Sequence, residues 1–141
     1  MDINDPWLYD NISEDYFREH AKTGDIILFR GTKRATAITR AITHSEFDHV
    51  AIVIRIAGET DVHFIEATGG PGVTLNRWDN IKKHIGEDKF YNKIVYRKVN
   101  FNHNNNVIDE FWDFCKEAIG HKYALSVDKL TRQKTIGVKK K

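Results

Sequence analysis

"FDHVAIVIRIAGETDVHFIEATGG", residues 47–70, contains two runs of alternating apolar residues joined by the polar stretch "AGET". This pattern predicts an antiparallel hairpin with strands over 49–56 and 61–67. His49 opens the first strand, and Glu66 stands inside the apolar run "HFIEA" of the second. Strand side chains alternate between faces, so His49 goes with Ala51, Val53 and Arg55, and Glu66 with Val62 and Phe64. A two-residue or a four-residue loop sets Ala51 opposite Glu66, on the His49 face, whereas a three-residue loop turns one strand over. Diagonal cross-strand neighbours lie roughly 7 Å apart at their α-carbons, close enough for imidazole and carboxylate to meet. A carboxylate in that position fixes the imidazole tautomer and stabilises the imidazolium formed when the ring takes a proton. The alternatives are an edge pair without chemistry, or a register shifted by one residue that substitutes His63 for Glu66.

Outward from the hairpin, the other elements follow from local signals. Ser13 is a candidate N-cap for a helix over "EDYFREHAK", which Gly24 closes. "DIILFR" (25–30) reads as a strand ended by Gly31. "TKRATAITRAIT" places Ala35, Ile38, Ala41 and Ile42 at the spacing of one helical face. "ATGGPGVTL" is a turn into a short strand from Val73, "NRWDNIKKHI" a short helix or turn, and "NKIVYRKV" another strand. "NHNNN" (102–106) supplies an N-cap for the helix "VIDEFWDFCKEAI", and Gly120 follows as its stop. The expected fold class is α+β: a small antiparallel sheet of four to five strands flanked by about three helices. The 141 residues suit a single domain over 1–141, with flexible ends at 1–12 and 136–141.

A net charge of +2 gives no support to nucleic-acid or membrane binding, and the basic run "VKKK" reads as a solvated tail. No apolar stretch approaches the roughly 18 residues of a membrane span. The acidic start "MDINDPWLYDNISED" lacks a secretion signal pattern, and the single cysteine, Cys115, excludes an internal disulfide. An intracellular setting is expected, cytoplasmic or within a cytoskeletal assembly. "HSEFDH" offers His44, Asp48 and His49 as a zinc-like cluster, but the chain has no recognised ligand spacing, so no metal is expected.

The ordered set "TGDIILFRG", a helix, "SEFDHVAIVI" and "VHFIEATGGPGVTL" resembles the NlpC-type papain-like cysteine peptidases and amidases over about residues 22–100. Members of the usual type carry their nucleophilic cysteine on a helix before the Gly-Asp strand. This chain has no cysteine there, so it is similar to the circularly permuted branch, which includes the lecithin:retinol acyltransferase-like proteins. The resemblance implies a permuted papain-like fold, with His49 as general base and Glu66 orienting it. It also implies hydrolysis or acyl transfer at an amide or ester, an oxyanion held by backbone N–H groups, and no cofactor. "GHKYAL" resembles the Gly-x-x-Tyr segment that precedes that branch's catalytic cysteine, yet no cysteine follows Tyr123. The chain is therefore expected to be either a piece of a larger protein or a degenerate member, a pseudoenzyme acting as a binding or scaffold module. A protein partner covering the open sheet face fits both readings.

Cys115 is the remaining thiol candidate. Helical spacing puts it in one stripe with Ile108, Phe111, Ala118 and Ile119, near the C-terminal end of its helix, where burial makes a thiol inert. Trp112 and Phe114 read as packing residues, Asp25 as a structural cap, and Arg34 and Arg40 as solvated. "TGGPG" (68–72) reads as a tight turn rather than an anion nest. Ser126, Thr131 and Thr135 offer only hydroxyls, which are poor nucleophiles near neutral pH.

Overall fold

The structure is a computed structural model and describes residues 11–100 and 102–122. Helix α1 (Glu14–His20) is capped by the Ser13 hydroxyl, which accepts the Tyr16 N–H. Strand β1 (Ile26–Gly31), helix α2 (Arg34–Thr43), β2 (His49–Ile54), β3 (His63–Thr68) and β4 (Gly72–Arg77) follow. Next come the short helix α3 (Trp78–Ile81), a 3-10 turn at Lys82–His84, β5 (Tyr91–Arg97) and α4 (Asn105–Ala118). The strands form one five-stranded antiparallel sheet in the order β4–β3–β2–β1–β5. The architecture is α+β, as the sequence leads one to expect.

The sheet buries both faces. On one, Phe17 of α1 and Trp78 of α3 pack over Ile27, Phe29, Ala51, Val53 and Phe64. On the other, Phe111, Trp112 and Cys115 of α4 cover Ile54 and Ile65, with Val73 and Leu75 at the margin. Alternation along β2 and β3 produces this division, since neighbouring residues such as Phe64 and Ile65 belong to opposite cores.

Charged side chains tie α1 to the sheet. The Arg18 guanidinium reaches Glu14, the buried Asp61 and Asp79 at 2.6–2.8 Å. Asp25 is structural: its buried carboxylate accepts the Lys22 and Val99 N–H groups and the Tyr96 hydroxyl. The same carboxylate holds Tyr96 as a neutral hydroxyl, since burial first and the Asp25 hydrogen bond second push its pKa well above the ordinary tyrosine value.

Several boundaries differ from the sequence reading. The hairpin connection spans 55–62, twice the "AGET" loop, with Gly58 at φ 82° in its turn. Its even length preserves the register, so Ala51 does face Glu66. The β4 strand runs on to Arg77, through residues expected to open a short helix or turn, and β5 begins at Tyr91. Although α2 forms where its periodicity predicts, Ile38 and Ile42 stay exposed, so its apolar stripe is not a core face. Phe114 is 64% exposed and packs no core, unlike Trp112. Of the expected flexible ends at 1–12 and 136–141, residues 1–10 and 136–141 lie outside the described residues, as do the "VKKK" tail, Tyr123, Ser126, Thr131 and Thr135.

Candidate active site

His49 begins β2, and its Nε2 lies 2.5 Å from Glu66 Oε2 on β3. Both side chains project from the face that carries Ala51, with His49 one diagonal step from Glu66 in the register. The pair is not set in an open face: the side chains are 16% and 5% exposed, which corrects the expectation of an uncovered surface. Phe29 and Tyr91 pack against the imidazole, with ring centroids at 5.4 and 6.3 Å.

The second Glu66 oxygen, Oε1, accepts from Asn76 Nδ2 at 2.5 Å, and that amide also touches Thr74 Oγ1. Burial alone would raise the Glu66 carboxyl. The hydrogen bond and charge of His49, with the Asn76 hydrogen bond, outweigh it and hold the pKa below the ordinary glutamate value. An ionised Glu66 accepting at Nε2 requires the proton on that nitrogen, which leaves Nδ1 as the basic one. Tyr91 stays protonated beside the ring, its pKa pushed up to about 12 by burial and then by the charges of Glu66 and Asp48.

Asn76 and Tyr91 are the site residues the sequence reading missed. Asn76 falls in "NRWDNIKKHI", which reads as a short helix or turn, while the β3–β4 register puts it opposite Phe64, one diagonal step from Glu66. The signal available was parity, since the tight Thr68–Gly72 turn fixes which β4 side chains share the Glu66 face.

His63 is brought elsewhere. It alternates away from Glu66, contacts Glu59 at 3.2 Å and leaves its buried Nδ1 without a partner. The "HSEFDH" residues also diverge. The Asp48 carboxylate accepts the Gly31 N–H and pairs with Arg40, while His49 turns to Glu66. Arg40 is thus an anchored side chain and not a solvated one. Among the described residues no group of His, Cys, Asp and Glu could hold a metal ion.

Residues 20–133 match the pattern of the permuted papain-like amidase enzymes of the YaeF/YiiX type, which covers well over half of the chain. The chain belongs to the permuted papain-like amidase family. No curated protein matches it. Membership of this amidase family makes the domain thiol-hydrolase-like, and it brings into focus where a thiol stands in the fold.

Cys115 lies in the core, as its helical stripe leads one to expect. It is the only cysteine of the 141 residues and is fully buried, packed with Ile54 and Ile65 under α4. That is the sheet face opposite to His49. Burial pushes the Cys115 thiol up, away from the reactive thiolate. Labelling of Cys115 by a neutral-pH thiol reagent is therefore expected to be at least about a hundredfold slower in the folded chain than in denaturant, because it waits for α4 to open. Equal rates in the two conditions would mean that the thiol is accessible in the fold. No helix among the described residues is long and apolar enough to cross a membrane.

Proposed function

We propose that this chain provides the histidine–carboxylate half of an acyl-transfer site for amides or esters, and that it does not carry out thiol-dependent hydrolysis by itself. The observation that supports the first part is the His49–Glu66–Asn76 chain of contacts, in a domain of an amidase family. His49 Nδ1 would accept the proton of an attacking thiol as sulfur adds to the carbonyl. It would then deliver that proton to the departing amine or alcohol as the tetrahedral intermediate collapses. Glu66 would hold the ring tautomer and offset the imidazolium charge. The relation to the NlpC-type and lecithin:retinol acyltransferase-like enzymes rests on the ordered motifs of the sequence.

The second part rests on Cys115. A thiol on the far side of a five-stranded sheet cannot reach His49, so Cys115 is not the nucleophile that His49 would serve. The same placement favours a second reading, a non-catalytic module that keeps the fold for binding a partner.

The test is an assay of the chain on a neutral thioester and an anilide, with Cys115→Ala and His49→Ala variants beside it. No turnover above buffer is expected from any of the three. Turnover lost in Cys115→Ala would overturn the assignment of the thiol. Turnover kept in Cys115→Ala but lost in His49→Ala would establish the base and show that a hydroxyl or water replaces the thiol.

A further inference from the structure

Helix α2 is turned the opposite way from an ordinary surface helix, which sets its apolar stripe on the core and its charges in water. In α2 the inward residue is Arg40, whose side chain is 18% exposed, pairs with Asp48 and donates to the Gly31 carbonyl at 2.9 Å. Ile38 and Ile42 stand two residues to either side of Arg40, which helical spacing puts about 160° round the axis from it. They are 57% and 40% exposed, and Arg40 is the one described side chain of the helix that is not exposed. The apolar surface continues at Phe90, 39% exposed, beside the start of the helix. There the Thr32 N–H donates to the Phe90 carbonyl, and the Lys33 ammonium stands 4.5 Å from the ring centre.

The charge carried by this element has one sign. Residues 32–45 hold Lys33, Arg34 and Arg40 and no aspartate or glutamate, an asymmetry that the net charge of +2 conceals. The carboxylates that follow are matched by cations, Glu46 by Lys93 and Asp48 by Arg40. Glu87 and Asp88 precede Phe90 in sequence and set the margin of the patch on that side. A helix of ten residues is marginal in water by its own propensity, so a surface that takes up the isoleucine face also steadies the helix. A nucleic acid offers phosphates to the cations but nothing to two isoleucines. An anionic bilayer takes both, with the side-chain methyls below the headgroups and the cations among the phosphates.

We propose that α2 is a docking element for an anionic lipid surface, lying in the headgroup plane with Ile38 and Ile42 directed towards the acyl chains. The inference is independent of the acyl-transfer reading, because it uses none of the contacts of His49, Glu66 and Asn76.

The full chain is floated with vesicles of phosphatidylcholine alone and of phosphatidylcholine with about a third phosphatidylserine. Binding to the anionic vesicles is expected to be at least about tenfold tighter than to the neutral ones, and to weaken as salt is raised. The double variant Ile38→Ser/Ile42→Ser should lose at least about tenfold in affinity while its urea unfolding midpoint stays unchanged, since both side chains are exposed. A spin-labelled lipid should broaden the Ile38 and Ile42 methyl signals and leave that of the buried Ile27 sharp. No binding to either vesicle would overturn the proposal, as would binding that the double variant keeps, which would belong to another basic segment such as the "VKKK" tail. Polyglutamate bound as tightly as the vesicles, and released by the same double variant, would assign the face to an acidic protein and overturn it too. Ile38 and Ile42 methyl shifts that follow protein concentration without lipid would assign it to a second copy of the chain, with the same consequence.

Discussion

Glu66→Ala is expected to cost the folded chain about 3 kcal/mol at neutral pH, measured by urea unfolding. The carboxylate is 5% exposed and accepts two short hydrogen bonds, so its removal leaves His49 Nε2 without its acceptor and Asn76 Nδ2 with Thr74 Oγ1 alone. Each unsatisfied buried group costs about 1–3 kcal/mol, and the small cavity adds to this. The pH dependence follows from the depressed pKa of Glu66 in the fold. A depressed carboxylate binds fewer protons folded than unfolded, so its ionisation stabilises the fold fully above the ordinary value of 4.5. That contribution is lost as pH falls through the lower folded value. The difference between wild type and Glu66→Ala should therefore shrink in acid. A difference that is absent at pH 7, or that grows in acid, would show that the pair is not a buried ionised carboxylate on a histidine.

Gly72→Ala should be equally damaging for a different reason. Gly72 has φ 79°, and a Cβ built there would lie 2.1 Å from the His121 carbonyl oxygen. That oxygen accepts the Val73 N–H, and the Gly120 N–H donates to Val73 O, both at 2.8 Å, so the two bonds fasten the chain after α4 to the edge of β4. An alanine must shift backbone and not merely a flexible side chain. Strain of about 1–3 kcal/mol, plus about 1 kcal/mol for each hydrogen bond lost, gives an expected loss of about 3 kcal/mol. Gly70→Ala is the control, since its Cβ would meet nothing within 4 Å. It should change stability by less than about 0.5 kcal/mol. In Gly72→Ala the Val73 amide should also lose protection from hydrogen exchange. Equal stability of the two variants would mean that the 120–121 segment does not hold the β4 edge.

The hairpin was legible because parity, and not exact loop length, decides which residues share a strand face. The loop is longer than "AGET" implies, yet Ala51 still faces Glu66. Cys115 was legible as a core residue because the stripe through Phe111 is strongly apolar. Asn76 was not, because β4 is an edge strand whose "TLNR" carries only weak alternation. The Arg40–Asp48 pair joins α2 to the loop before β2, and its geometry depends on how that helix lies against β1. Periodicity places a residue on a helix face but cannot say what that face meets. The exposure of Ile38 and Ile42 reflects the same limit.

The central claim is that Glu66 fixes His49 as a base with its proton on Nε2 and Nδ1 bare. Ring ¹⁵N chemical shifts of His49, in the wild type and in Glu66→Ala, test it most directly. The account predicts the Nε2–H tautomer for the neutral ring in the wild type, and a mixture of tautomers once the carboxylate is gone. An Nδ1–H tautomer in the wild type, or the same mixture in both proteins, would contradict it.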